Sequence, residues 1–451
     1  MTKLTFLILC SITLSCCTGS YKETDQGIIV TLPSSKASAP HQVKIEVITE
    51  DIFRVSATPE DSFPGRNSLI IVPGQSFDVP YTVTETDKAV EIATESIKAI
   101  VSLKNGSVDF TDRDGNPILR ETTGGGKTFS PITVDHYRGY SFRQVFESPE
   151  DEAFFGLGQH QSDEWNYKGK NEVLYQYNTK VSVPFIVSNR NYGLLWDNYS
   201  LTKFGAVEEY SELSQFKLYD VSGEEGGLTA SYVTAEGETF LQRQESEIDY
   251  ENLVTIQEFP EGFPFWESRI TWEGEIEPGE SGEYEFKLYY AGYTTVFVDG
   301  EEVVPERWRT AWNPNTYKFR VHLEAGKRVP VSVQWRPDGE VSYIGLKILG
   351  PLDPEEQGKL SLWSEMGQEL DYYFIHGESM DEIIGGYRTL TGKAPIMPQW
   401  AYGFWQSRER YKTQDEIVGT LSEFRRRGIP IDNIVQDWSY WEEDQWGSHE
   451  F

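Results

Sequence analysis

Cysteine is almost absent. Cys10, Cys16 and Cys17 are the three in a chain of 451 residues, so everything after position 17 folds without a disulfide, a thiolate nucleophile or a cysteine metal ligand. Positive charge is scarce too: 40 Lys and Arg stand against 72 Asp and Glu, for a formal net charge of -32. A field of that sign repels phosphate backbones and anionic headgroups, which excludes nucleic acid as a partner and any basic membrane-binding patch. Long apolar runs are missing beyond the N-terminus. The run from Leu4 to Leu14, behind Lys3, is too short to span a bilayer and leads into Leu14-Ser15-Cys16-Cys17, the layout of an export signal.

Aromatic residues, by contrast, are plentiful. The 13 Trp and 25 Tyr offer flat faces that suit the apolar faces of sugar rings, and neutral carbohydrate tolerates an acidic field; the other home for such rings is a β-sandwich core. The N-terminal segment resembles a bacterial lipoprotein signal, in which Cys17 is the acylated residue, the alternative being an ordinary secretory peptide. That resemblance implies export and attachment to the cell envelope, with a membrane contact made only through the lipid.

The length allows two or three domains with cores of their own. From Gly27 to about Gly223 the pattern is β: Ile97, Ala99, Val101 and Leu103 alternate with polar or opposite-face residues, Asn105-Gly106 predicts a type I′ turn, and Val108 and Phe110 continue on the return strand. Asp112-Arg113-Asp114-Gly115 is a plain turn, because a calcium loop in that register puts Phe110 at the first ligand position. The texture changes near Glu224. Ser379 to Leu390 is helix-like, and Thr413 to Arg427 is a helix: Thr413 and Glu416 form a capping box, Ile417, Val418, Leu421 and Phe424 make one stripe, and Gly428 and Pro430 follow the basic last turn. On either side, Ala401 to Trp405 and Asn433 to Gln436 are predicted as strands. Asp437 then falls at a strand's carboxyl end, where barrel enzymes place their chemistry.

Thr391-Gly392-Lys393-Ala394-Pro395, Pro398-Gln399-Trp400, Gly403-Phe404-Trp405-Gln406-Ser407 and Asp437-Trp438-Ser439-Tyr440-Trp441 together resemble the opening of the catalytic barrel of glycoside hydrolase family 31. That is a family of retaining α-glycosidases, and the likeness is strongest to its α-xylosidases. Phe154-Phe155-Gly156-Leu157-Gly158-Gln159, Val183-Pro184-Phe185-Ile186-Val187 and Tyr192 to Asn198 are similar to the family's N-terminal sandwich. Trp272-Glu273-Gly274, Val298-Asp299-Gly300 and Leu323-Glu324-Ala325-Gly326 resemble a protective-antigen-type module. The resemblance implies a mostly β chain: a signal peptide over 1–17, an N-terminal β-sandwich over 18–223 and 361–394, a second β-sandwich inserted over 224–360, and the first strand–helix–strand of a (β/α)8 barrel over 395–451.

It also implies a function, an α-xylosidase removing xylosyl branches from xyloglucan oligosaccharides. The alternatives are α-glucosidase activity or a non-catalytic carbohydrate-binding protein. Asp437 then accepts hydrogen bonds from sugar hydroxyls, unless it is a loop carboxylate paired with an arginine. Ser439, where α-glucosidases of the family carry an aspartate for the hydroxymethyl group, suits xylose, as does the bulk of Trp438. Trp405 and Tyr440 line the pocket or fill the barrel interior. Asn178, beside Tyr177 and Thr179, sits where a sandwich loop of relatives contacts the sugar, the other reading being a strand-end turn. Trp308 and Trp312, read as one loop of the module, stack on extended substrate or pack that loop. No cofactor is implied. Sugar-binding relatives of the module hold calcium with adjacent aspartates, and this chain has no such pair.

Retaining hydrolysis needs two carboxyl groups about 5–5.5 Å apart, which in this family are aspartates on later barrel strands. Eight β/α units take about 250 residues, so both are expected beyond Phe451 and none is assigned within the chain; Asp415, Asp432 and Asp444 are surface residues. The chain alone is expected to lack glycosidase activity and to be poorly soluble over its last 60 or so residues, with strand edges and a helix stripe uncovered.

Overall fold

The structure, a computed structural model, describes residues 19–33, 38–65, 67–74, 78–160, 164–177, 180–250, 259–265, 268–312, 315–339, 341–438 and 440–448. Strict alternation of buried and outward residues, as along Gln42–Thr49, builds the first sandwich. One sheet runs Ser20–Thr24, Gly27–Thr31, Gln42–Thr49, Ile52–Thr58, Leu370–His376, Tyr192–Trp196, Val181–Ser188, Phe154–Gln159. The second runs Lys127–Val134, Tyr137–Phe146, Leu360–Gly367, Thr202–Phe204, Glu172–Leu174. A five-stranded meander, Thr82 to Arg120, closes the core, where Phe110 stacks on Phe374 with centroids 4.0 Å apart. Leu370–His376 lies between Ile52–Thr58 and Tyr192–Trp196, so a late segment completes sheets begun early, and the chain between leaves and returns.

The expected hairpin is present with a different turn. Val101 pairs with Val108, but Gly106 N–H donates to Ser102 C=O at 2.9 Å, and only Gly106 has positive φ, +71°. A type I′ turn needs it at both central residues. Crowding accounts for the glycine: a Cβ on Gly106 would lie 2.7 Å from Val43 Cγ2.

The intervening segment forms a second sandwich. One sheet orders Ser211–Glu212, Ile344–Leu349, Gly282–Tyr290 and Asn315–Leu323; the other orders Thr239–Glu245, Leu228–Val233, Arg269–Glu277, Val329–Arg336, Gly292–Val298 and Glu301–Arg309. Its core holds Trp272 and Trp335. Ser211–Glu212 pairs with Ile344–Leu349 and Lys217–Tyr219 with Arg269–Glu277, so the chain enters these sheets ahead of the expected start at Glu224. The change of texture there is a turn within the module: Asp220 accepts Ser222 N–H at 2.8 Å and Glu224 N–H at 3.0 Å. The Asp112 turn is likewise local, its carboxylate accepting Asn116 N–H at 2.8 Å.

The helix Met380–Thr391 buries Ile383 and Leu390 against the sandwich, with Tyr387 stacked on Phe185 at 4.4 Å. Gly392–Phe451 is a separate compact unit. Its helix is Gln414–Arg426, with Thr413 Oγ1 accepting Glu416 N–H at 3.2 Å; Glu416 reaches back to Lys412 N–H at 2.8 Å, one residue before the capping-box partner. The strand expected at Ala401–Trp405 is displaced. Pro398 opens a 3-10 turn over Gln399–Tyr402, and the strand is Trp405–Arg408, parallel to Asn433–Gln436.

Candidate functional site

Two parallel strands joined by a helix bring their carboxyl ends together. Arg408 is level with Gln436, and Asp437 is the first residue past the second strand. Backbone pins set this register. Asp432 N–H and Asn433 N–H both donate to Phe404 C=O, at 3.0 and 3.2 Å, and the Asp432 carboxylate accepts Phe404 N–H at 3.0 Å. Asp432 lies so close that a Cβ on Gly403 would sit 1.9 Å from its Oδ2, which accounts for the glycine in Gly403-Phe404-Trp405. Asp432 therefore anchors the first strand, Asp415 is in the helix's opening turn, and Asp444 takes a positive φ of 64° and is exposed.

Asp437 is partly buried and accepts Trp438 N–H at 2.8 Å. Among the described residues no ion pair joins it to a lysine or arginine. Trp438 lies under Arg410, 5.2 Å from its ring centroid, and 5.3 Å from the Trp446 ring; Arg410 had no sequence signal beyond its charge. Trp405 donates Nε1–H to Ala401 C=O at 3.2 Å and lies 5.8 Å from Trp400, half exposed. Tyr440 packs on Trp441 at 5.3 Å. Ser439, Asn178 and Cys17 fall outside the described residues.

Next to Asn178 the sandwich holds Tyr177, half exposed, its C=O accepting Lys180 N–H at 2.9 Å. In the module, Trp308 is not in a loop. It stands on Glu301–Arg309 opposite Tyr293 and donates Nε1–H to Asp338 at 2.5 Å, while Trp312, 75% exposed, sits in the turn that follows. The structure adds residues the sequence reading passed over: Arg336 lies 4.0 Å over the Tyr293 ring, and Tyr289 stacks on Tyr343 at 4.8 Å. Tyr293 was detectable, since it holds an outward position in the alternation of Gly292–Val298, where a polar residue is the norm.

Comparison with known proteins agrees with this architecture. Residues 42–204 match the glycosyl hydrolase 31 N-terminal galactose mutarotase-like domain, 225–346 the PA14 domain, and 394–451 the glycosyl hydrolases family 31 TIM-barrel domain. A crystal structure of a GH31 α-xylosidase from Xanthomonas citri is 44% identical with a TM-score of 0.86, over 95% of this chain and 46% of that one. An α-xylosidase of Saccharolobus solfataricus is 26% identical over 91% of this chain and 36% of its own length. An α-glucosidase 2 of Bacillus thermoamyloliquefaciens is 36% identical over 17% of this chain and 10% of its own. The chain thus spans less than half of each of these relatives; its sandwich and its barrel opening are identified with glycoside hydrolase family 31, with a PA14 domain inserted between them.

Proposed function

We propose that this chain forms the substrate-binding front of a retaining α-xylosidase that removes xylosyl branches from xyloglucan oligosaccharides. The observation that carries the reading is Asp437, an acceptor-only carboxylate without a cationic partner among the described residues, at the carboxyl end of a parallel strand. Beyond the Trp438 N–H, such a carboxylate keeps acceptor capacity for adjacent sugar hydroxyls. The choice of xylose is supported by Ser439 beside Trp438 and by likeness to α-xylosidases along most of the chain. A missing hydroxymethyl contact is worth about 1–3 kcal/mol, enough for a preference. A second reading, an α-glucosidase, is supported by the 36% identity of a 78-residue stretch to an α-glucosidase. Trp308, Trp312 and Tyr177 carry exposed aromatic faces of the kind on which sugar rings stack.

The test is hydrolysis of α-xylosyl-(1→6)-glucose by a form carrying the whole barrel. Xylose is expected from it and none from the 451-residue chain; glucose from α-glucosides with no xylose release overturns the reading. Export with acylation at Cys17 belongs to the same proposal. Labelled palmitate is expected to enter the wild-type protein and not Cys17→Ser, and equal labelling of both refutes the assignment.

A further inference from the structure

Gly169 and Asn171 belong to the first sandwich, on the stretch that runs through Glu172–Leu174 to Tyr175, Tyr177 and Asn178. Side-chain donors from the inserted module grip their carbonyls: Lys318 Nζ–H donates to Asn171 C=O, and Arg320 Nη2–H to Gly169 C=O. Lys318 and Arg320 are two apart on Asn315–Leu323, hence on one face of that strand. Glu285 lies opposite Arg320 in the neighbouring strand and fixes the guanidinium by bonds of 2.9 and 2.7 Å. The other Glu285 oxygen accepts Asn171 Nδ2–H at 3.1 Å and the Tyr210 hydroxyl. Asn171 Oδ1 in turn accepts Ala206 N–H at 2.7 Å.

Glu285 is 5% exposed. Burial pushes its carboxyl up, but Arg320, the Tyr210 hydroxyl and Lys318 outweigh that and hold it below the usual carboxylate range. A buried charge pair is weak evidence for stability, and fixing one arrangement among several is its better-attested use.

We propose that the inserted module braces the Asn171–Tyr177 arm of the sandwich, with Glu285 as the positioning residue that sets where Tyr177 is held. The bracing stands on the contacts alone; only its consequence for sugar binding rests on the function proposed above.

The experiment is amide hydrogen exchange of the full chain in three variants. Glu285→Gln removes the charge at constant size, Lys318→Met removes the second grip without touching Glu285, and Glu283→Gln is the control, since Glu283 is 61% exposed. Glu285→Gln and Lys318→Met are expected to speed exchange over 172–177 about tenfold or more, leave the core strand Arg269–Glu277 unchanged, and differ from the control. Unchanged exchange over 172–177 in both variants, or equal acceleration of Arg269–Glu277, overturns the brace. In a form with the whole barrel, Glu285→Gln is expected to raise KM several-fold at constant kcat; a fall in kcat alone contradicts a positioning role. Should the arm loosen as expected in a protein that hydrolyses no α-xyloside, the proposed function fails and the brace stands.

Discussion

Asp437→Ala, in a form carrying the whole barrel, is expected to cut kcat/KM for an α-xyloside by a factor on the order of 10²–10⁴. A hydrogen bond to a charged group contributes about 1.5–3 kcal/mol, and a carboxylate has the acceptor capacity for two adjacent hydroxyls. Two such bonds amount to about 3–6 kcal/mol, which converts to that range at about 1.4 kcal/mol per decade. The geometry supports the assignment over a structural one. Among the described residues Asp437 pins no backbone beyond its neighbour's N–H, whereas Asp432, five residues earlier, ties two segments together. Asp432→Ala should therefore unfold the strand pair, while Asp437→Ala should leave the thermal transition in place. Kinetics and melting measured side by side on the two variants check this. A kcat/KM for Asp437→Ala within about threefold of wild type would make it an ordinary solvated residue.

Lys127→Met is expected to destabilise the first sandwich by about 3–5 kcal/mol. Both Lys127 and Glu121 have fully buried side chains. Lys127 donates to Glu121 and, at 3.2 Å, to Gly106 C=O. Glu121 also accepts the Tyr372 hydroxyl at 2.7 Å and Val108 N–H at 2.9 Å. Burial pushes the Glu121 carboxyl up, and Lys127 is the main opposing influence; methionine fills the volume and leaves the carboxylate without its counter-charge. Without Lys127 the folded-state pKa of Glu121 rises further above its unfolded value. The sandwich of the variant is then most stable below the unfolded pKa of about 4.3 and loses stability as pH rises through the folded one. Urea titration should thus show a larger deficit at pH 8 than at pH 5. Replacing both residues by apolar ones should recover most of the loss. A pH-independent deficit under about 1 kcal/mol would contradict the account.

Neither cluster was legible in the sequence, and the reason is separation. Tyr372 is 251 residues from Glu121, and Glu285 is 114 from Asn171, so no local pattern announces either pairing. What the sequence did show is what local chemistry settles. The Thr413 cap and apolar stripe placed the second helix, and β alternation placed the hairpin at Ile97. It missed the hairpin's turn, where Val43 and Leu32 crowd Gly106, and the barrel's first strand, where Pro398 and Gly403 delay the extended run to Trp405. Trp308 reads as loop because Pro305 and a Pro-Asn tail flank it, yet the strand Glu301–Arg309 runs through Pro305 at the sheet's edge, where a missing N–H costs no ladder bond. Asp437 was legible because strand, helix and strand are contiguous in the chain.

The central claim, that this sandwich, module and barrel opening serve retaining cleavage of an α-xylosyl bond, is tested most directly by proton NMR of the first sugar released from α-xylosyl-(1→6)-glucose by the whole-barrel form. The account predicts α-xylose as the earliest signal, with β-xylose appearing later through mutarotation. β-Xylose first, or no xylose while glucosides are cleaved, would contradict it.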